Sequence, residues 1–587
     1  MYMKKKSLFG SVLFLSGLSL TLTACGSNNQ KNDATNEVKN LKSNIPVKPA
    51  KKGGHISVAV QSSSPFTGIF AQELAYSSTD AELMAPGNET LFDTNNTYEF
   101  DNTGAATIKF NQTNKTATIK IKKGVQWSDK EPLTAQDIKY SYLVLANPET
   151  QTSVYNSSLE NIVGMSEYHF GKAKDISGIE MPKGPEGDTV VIHFKEMHPS
   201  MKYSGSGEVS ETALPYHYLK NIPYKKLLSS DKIRKNPIFF GPFKMSKIVR
   251  GESVTYVRND NYWRGKPNLD KITLSALNPD STAQAIKSHK YDIADVVNSQ
   301  WSSVKSTKGV KFVSHIPLAY TYLAFKVGKW DKNTGKNVMD THSKMNNKSL
   351  RQAMAYAMNV KPVLNRYTHG LSFQVSTLIP KQFGAYYNPH VKPYTQDLSK
   401  ANKLLDQAGY KKKGKYRVQP NGKPLTINLA AKAGDSTQEP IIQNYLQQWR
   451  KIGLNVKLTD GRLIEFNSFV QKIMNDDPKI DLYISAWGLS SEPSPTDLYG
   501  EKAQDNFGRF VTKKNNKLLA EMNSAKAFNE SYRINKFHEW QQYMKDEAYV
   551  VPLSNSYNVT AINDRLTGYS TKPADTNTIW SKLGYVK

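Results

Sequence analysis

Cysteine is almost absent from the chain: Cys25 is the one such residue in 587. No intrachain disulfide can form, and a chain of this length buries enough apolar surface to fold without one. Long hydrophobic runs are missing too. The stretch Leu8–Leu22 is apolar but broken by Gly and Ser, and it falls short of the roughly 20 residues a membrane span needs. The signatures of common catalysts are equally lacking: there is no Gly-x-Ser-x-Gly elbow, no His-Glu-x-x-His helix, no phosphate loop and no dinucleotide glycine pattern. Ser204-Gly205-Ser206-Gly207 is too short for a phosphate loop and has no lysine, and His193 and His198, in a Pro-flanked segment, read as surface residues. A hydrolase is therefore disfavoured, and the expectation is a protein that is not an enzyme and needs no cofactor or metal.

What surrounds Cys25 gives the lone thiol a use. Lys4, Lys5 and Lys6 precede the short apolar run, and Leu22-Thr23-Ala24-Cys25-Gly26 supplies small residues at a cut site. This is the pattern of a lipoprotein signal peptide over 1–24, with Cys25 as the lipidated N-terminus. An ordinary secretory signal with an incidental cysteine is the alternative. Two-chain acylation would anchor stably, which one acyl chain does not. From Gly26 to Lys52 the sequence is rich in Asn, Lys, Ser and Pro, and 25–52 reads as a flexible tether. The place of work would be outside the membrane, on an extracellular face or the periplasmic side.

Acidic residues are in deficit, 51 against 78 Lys and Arg, for a net charge of +27. An exported protein of this charge meets anionic lipid, wall polymers or glycans before nucleic acid, so a cationic surface adhesin is one functional class to keep open. The lysines are spread along the chain and lack the aromatic interleaving of a strand-binding platform. A solvated face explains them as well.

The body after Gly53 alternates strand and helix signals. His55–Val60 alternates as a strand and runs into the turn Ser62-Ser63-Ser64-Pro65; Thr107–Ile121 reads as a hairpin; Thr134 caps a helix. Further on, helices at 349–358, 399–408 and 440–452 alternate with strands at 454–458 and 480–486, the pattern of an α/β lobe.

Five blocks then resemble one family. They are Ile121–Asp129 leading into Pro132–Ile138; Gly241–Met245 with Arg258–Trp263 and Pro267–Ile272; Arg351–Met358; Ala401–Tyr410; and Trp449–Val456. Their order, behind a lipobox, is similar to that of the peptide-binding lipoproteins of bacterial ABC importers, in the peptide/nickel-type extracellular solute-binding family. Lys130-Glu131 departs from a usual Gly-containing turn.

The resemblance implies a periplasmic-binding-protein-like α/β fold. Two lobes joined by a hinge would close on an oligopeptide and deliver it to an ABC permease with ATPase subunits. The corresponding division is lobe I over 53–105, 206–320 and 546–587, an inserted small domain over 106–205 and lobe II over 321–545, working as a monomer. Tyr320 and Tyr322 would sit near the hinge. A homologue with a non-peptide ligand stays possible, because fold does not fix ligand.

A buried ammonium terminus requires an acid. In the family that acid follows a Trp-Gly turn, here Trp487-Gly488, commonly three residues after the Trp. Ser490 stands there in this chain, so the role passes to Glu492, with Asp497 as runner-up and Trp487, Gly488, Ser490 and Ser491 beside the ligand. Ser63, Ser64 and Phe66, with Asn555 and Tyr557, are the candidates for the opposite wall.

Overall fold

Apolar residues alternating with polar ones make half-buried strands, and here they assemble into three principal sheets. The computed structural model describes residues 38–150, 152, 155 and 157–587. Cys25, the signal peptide and the first part of the tether lie outside the described residues. The first sheet has seven strands in the spatial order Val310–His315, Asn558–Asn563, Ile293–Val296, His55–Gln61, Lys271–Leu277, Ser253–Arg258, Phe243–Val249. His55–Gln61 pairs in parallel with both of its neighbours. The second sheet has six, in the order Ser372–Gln374, Val550–Ser556, Ala319–Phe325, Leu482–Gly488, Thr426–Ala431, Asn455–Leu458. Helices such as Lys348–Ala357 and Gln438–Lys451 cover the second sheet and share its core, where Leu350, Met354, Leu446 and Trp449 are buried. The expected α/β class is found.

The chain passes between these sheets twice, through 316–318 and through Tyr557. Both crossings fall away from the anticipated boundaries. The strand Val550–Ser556 is still part of the second sheet, so the return begins at 557 and not at 546. Tyr320 and Tyr322 are fully inside the second lobe: the hydroxyls of Tyr320 and Tyr499 hydrogen-bond at 2.7 Å, and both residues of the pair are buried. Aromatic residues in a central strand go to the core, so these two follow the 316–318 crossing directly with their rings packed inside the second lobe.

A smaller body is built on a four-stranded sheet, Ala106–Asn111, Thr116–Ile121, Thr189–His193 and Ile179–Glu180, with the helix Ala135–Ala146 on it. Its core draws residues from Leu91 to Phe240, beyond the anticipated 106–205. The most recognisable sequence block is its framework. Thr134 and Asp137 close a capping box at the helix start, and the Asp137 carboxylate also accepts from Trp127 Nε1 at 3.0 Å and from the Tyr216 N–H at 2.7 Å. Gly241 is required by a close approach: a Cβ there would stand 2.3 Å from the Gly87 carbonyl oxygen.

The tether reading fails for residues 38–52. Val38 is wholly buried against the first sheet, the Ile45 N–H donates to the Tyr569 carbonyl at 2.8 Å, and Asn44 and Ala50 form bridges to Ser570 and Val586. Low hydrophobicity hid a segment whose backbone pairs with the C-terminal residues, an interaction that composition does not record.

Candidate functional site

The strand Leu482–Gly488 points its C-terminal end at the junction of the second lobe and the small body. Trp487, near that end, is partly buried, stacked on Tyr322 with ring centroids 6.2 Å apart and on Phe507 at 5.6 Å. Beside it opens a cavity of about 1390 Å³, lined on one side by residues between Trp487 and Asp505 and on the other by small-body residues between Tyr155 and Glu208. That volume exceeds the roughly 300–1,000 Å³ of pockets for drug-sized ligands.

Its charge is opposite to that of the chain. Among the described lining residues are seven carboxylates, Glu160, Glu196, Glu208, Glu492, Asp497, Glu501 and Asp505, and three lysines. Several of these acids are already engaged. Glu492, 5% exposed, is bound at 2.5 Å by the Arg533 guanidinium and accepts from the Ser494 N–H at 2.7 Å. Glu208 accepts from His198 Nδ1 at 2.8 Å and from Ser200 Oγ at 3.1 Å. Burial alone would lower the His198 pKa, but the hydrogen bond and charge of Glu208 outweigh it and raise it.

Asp497 is different, since its carboxylate accepts from the hydroxyl of Ser158 at 3.0 and 3.1 Å and no cation pairs with it among the described residues. Burial, with the charges of Glu492 and Glu208 nearby, pushes its pKa up to about 7.

Contacts join the bodies across the junctions. Ser158–Asp497 and the Lys502–Glu160 pair at 3.4 Å link small body to second lobe. Gly205 packs so closely that a Cβ on it would lie 2.8 Å from Ser490 Cβ and 2.9 Å from the Ser491 nitrogen. Between the first and second lobes, Ser64 Oγ donates to Glu465 at 2.7 Å and Ser299 Oγ to Asp435 at 3.1 Å. Glu465 also caps the helix Phe466–Met474, and the N–H groups of Asn467 and Ser468 hold its carboxyl down at about 2.

The residues singled out in sequence divide accordingly. Trp487, Gly488, Ser490, Glu492 and Asp497 line the cavity, and Ser491 sits behind it against Gly205. The Glu492 carboxylate, bound to Arg533, is not free to meet an ammonium group without breaking an ion pair.

None of the five candidates for the opposite wall lines this cavity. Phe66 is buried in the first lobe against Phe70, because its loop wraps the Asp80 carboxylate with the N–H groups of Thr67, Gly68 and Ile69. Ser63 is exposed, and Ser64 is held by Glu465. Asn555 donates to the Pro317 carbonyl at 3.1 Å, and Tyr557 packs on Phe373.

The facing wall comes instead from residues that sequence reasoning set aside: His198, read as a surface residue, and Gly205-Ser206-Gly207, weighed only as a phosphate loop. Glycines flanking a serine did signal close backbone approach, but not to what. Among the described residues no group of three or more His, Cys, Asp and Glu could hold a metal ion, and no helix is long and apolar enough to cross a membrane.

Comparison with known proteins shows which family the chain falls in. The oligopeptide-binding protein OppA of Lactococcus lactis subsp. cremoris is 39% identical over 574 residues, which cover 96% of this chain and 95% of that one. The solved structure of lactococcal OppA complexed with an endogenous peptide in the closed conformation superposes with a TM-score of 0.87 at 39% identity, covering 91% of this chain and all of the other. AppA of Bacillus subtilis in complex with a nonapeptide shares the fold, with a TM-score of 0.74 at 21% identity over 92% of this chain and all of that one. The fold is thus periplasmic-binding-protein-like, and the relatives are solute-binding receptors, not enzymes. The profile of bacterial extracellular solute-binding proteins, family 5 Middle, matches residues 104–509, and the chain belongs to that family.

Proposed function

We propose that this protein captures oligopeptides in the cavity beside Trp487, closes on them by bending at 316–318 and 557, and hands them to an ABC permease. The observation that carries the reading is the cavity itself, about 1390 Å³ between two bodies of the chain and roomier than the roughly 300–1,000 Å³ of pockets for drug-sized ligands. The peptide in the lactococcal relative supports it. A receptor for varied sequences grips what peptides share, the main chain and its ends, and leaves side chains in roomy, wet surroundings. Trp487, Gly488 and Ser490 supply that grip from the second lobe, and an acid of the 492–497 loop meets the amino terminus. Lipid on Cys25 keeps the receptor at the membrane surface near its permease.

Native mass spectrometry of protein purified without its lipid, followed by release and sequencing of what co-purifies, tests the ligand class. Co-purified peptides, with compaction in small-angle scattering when peptide is restored to stripped protein, are the expected result. No peptide, and no heat in calorimetry with a mixed peptide pool, would overturn it.

A second reading rests on charge. With seven acids and three lysines at the cavity, the net positive charge of the chain lies elsewhere on the protein, and a surface of that kind holds wall polymer or glycan. Binding to such polymers falling steeply with salt would support it, and salt-independent binding or none would remove it.

A further inference from the structure

The docked N-terminal segment carries charge that the fold leaves unanswered. Lys39, Lys42, Lys48, Lys51 and Lys52 are all exposed, and residues 38–54 contain no acid. None of the five forms an ion pair among the described residues, and the Lys52 Nζ donates to the neutral Asn268 Oδ1 at 3.1 Å. Two acids that neighbour the segment are engaged elsewhere: Asp270, which accepts from the Gly54 N–H, pairs with Arg258 at 2.6 Å, and Asp575, which accepts from Ser570, pairs with Lys582 at 2.9 Å. Backbone pairing fixes the row on the body. The Lys51 N–H donates to the Tyr585 carbonyl at 2.8 Å, and the Thr571 N–H donates to the Ser43 carbonyl at 2.9 Å, which sets the exposed Lys572 next to the Lys42 end.

In the middle of the row stands an apolar side chain: Val47, between Pro46 and Lys48, is 64% exposed. A single exposed valine is ordinary, but one set among unpaired lysines gives the face two kinds of contact. The course of the chain and its charge choose the partner. Only residues 26–37 separate Val38 from Cys25, so a bilayer holding a lipid on Cys25 lies close to this face. Lysine is a compact point charge on a flexible stem, suited to scattered phosphates more than to one planar fork. A wall polymer or glycan supplies anions for the lysines but no apolar layer for Val47. We propose that this face is a docking surface for anionic lipid headgroups, with the five lysines on the phosphates and Val47 entering the interface. It adds an electrostatic hold on the seven-stranded half to whatever the lipid supplies.

This inference rests on the lipid at Cys25 to bring face and bilayer together, and the test separates the two. The intact mass of protein extracted from membranes reports that lipid by itself. The face is tested on the chain from residue 25 with Cys25→Ser, which carries no lipid, by co-sedimentation with vesicles of phosphatidylcholine alone or of an equal mixture with phosphatidylglycerol. The expected result is partitioning onto the mixed vesicles about tenfold or more above that onto phosphatidylcholine, falling steeply as salt rises. Replacing Lys48, Lys51 and Lys52 together by Gln lowers it about tenfold or more, while replacing Lys411, Lys412 and Lys413, which removes the same charge from the densest lysine run, leaves it within about twofold. Val47→Ser lowers it severalfold. Equal losses in the two triple variants, or no preference for phosphatidylglycerol, overturn the docking surface. Equal loss of the first triple variant on soluble polyphosphate and on vesicles, with Val47→Ser without effect, gives the face to a polymer and overturns the lipid assignment. The expected vesicle results with no lipid on Cys25 overturn the anchor and leave the docking surface standing. Should the first triple variant fail to fold, Val47→Ser and the Lys411 triple variant decide.

Discussion

Arg533 and Glu492 stand 41 residues apart in sequence and form a buried ion pair, so the loop glutamate that the sequence marks as a ligand contact is first a structural acid. Removing one partner of such a pair leaves the other charge buried alone, at a cost of about 3–5 kcal/mol. Glu492→Gln is therefore expected to lower stability in chemical denaturation by that order, and to weaken free-amine and acetylated peptides alike. A loss confined to free-amine peptides, with stability unchanged, would return the amine-binding role to Glu492.

Asp497 carries a different prediction. Its carboxyl titrates near 7 in the folded protein against about 3.9 unfolded, so the folded state holds the proton more tightly, and the group's contribution to stability is lost as pH rises through about 7. The groups acting on it are Glu492, Glu208 with its partner His198, Asp505, and the hydroxyl of Ser158. Asp497→Asn removes this titration, so the variant gains stability relative to wild type between about pH 4 and 7 and keeps that gap at higher pH. Urea denaturation at each pH measures the gap, and a constant gap would refute it. The position of both acids after Trp487 was legible in the sequence. Their unequal partners were not, because Arg533 and Ser158 come from remote elements.

Among elements, the strands and the capped helix were readable because alternation and an N-cap are local signals, as Thr107–Ile121 and Thr134 show. The cavity's second wall was not, since residues 196–208 are polar, irregular and without period, and their role arises only from facing the loop after Leu482–Gly488. Gly205 tests that meeting of elements. A methyl group there would collide with Ser490 and Ser491. Its φ of +73° adds a strain that Gly184, at +80° with open space around it, would also bear in an Ala variant. Gly205→Ala is expected to lower peptide affinity about tenfold through faster release, by overpacking of about 1–3 kcal/mol, while Gly184→Ala leaves affinity within about twofold. Stopped-flow release kinetics read the difference, and equal behaviour of the two variants would show that this contact has no part in holding ligand.

For the whole molecule, the order of blocks along the chain disclosed the architecture, while the ends of the bodies stayed hidden wherever a polar segment is held by backbone pairing. Residues 38–52 are the clearest case. Truncation to residue 53 is expected to destabilise the protein by about 2 kcal/mol or more relative to truncation to residue 38, because Val38 leaves its buried site and the bonds of Ile45 and Lys51 to the C-terminal segment are lost. Thermal melts of the two forms compare them, and coincident curves would contradict the packing described.

That docked segment also shortens the leash. Thirteen residue-to-residue steps run from Cys25 to Val38, where a free tether to residue 52 would have offered 27. Fully stretched, thirteen residues reach at most about 45 Å. A lipid on Cys25 would thus moor the seven-stranded half within one protein diameter of the bilayer and leave the six-stranded half as the arm that swings.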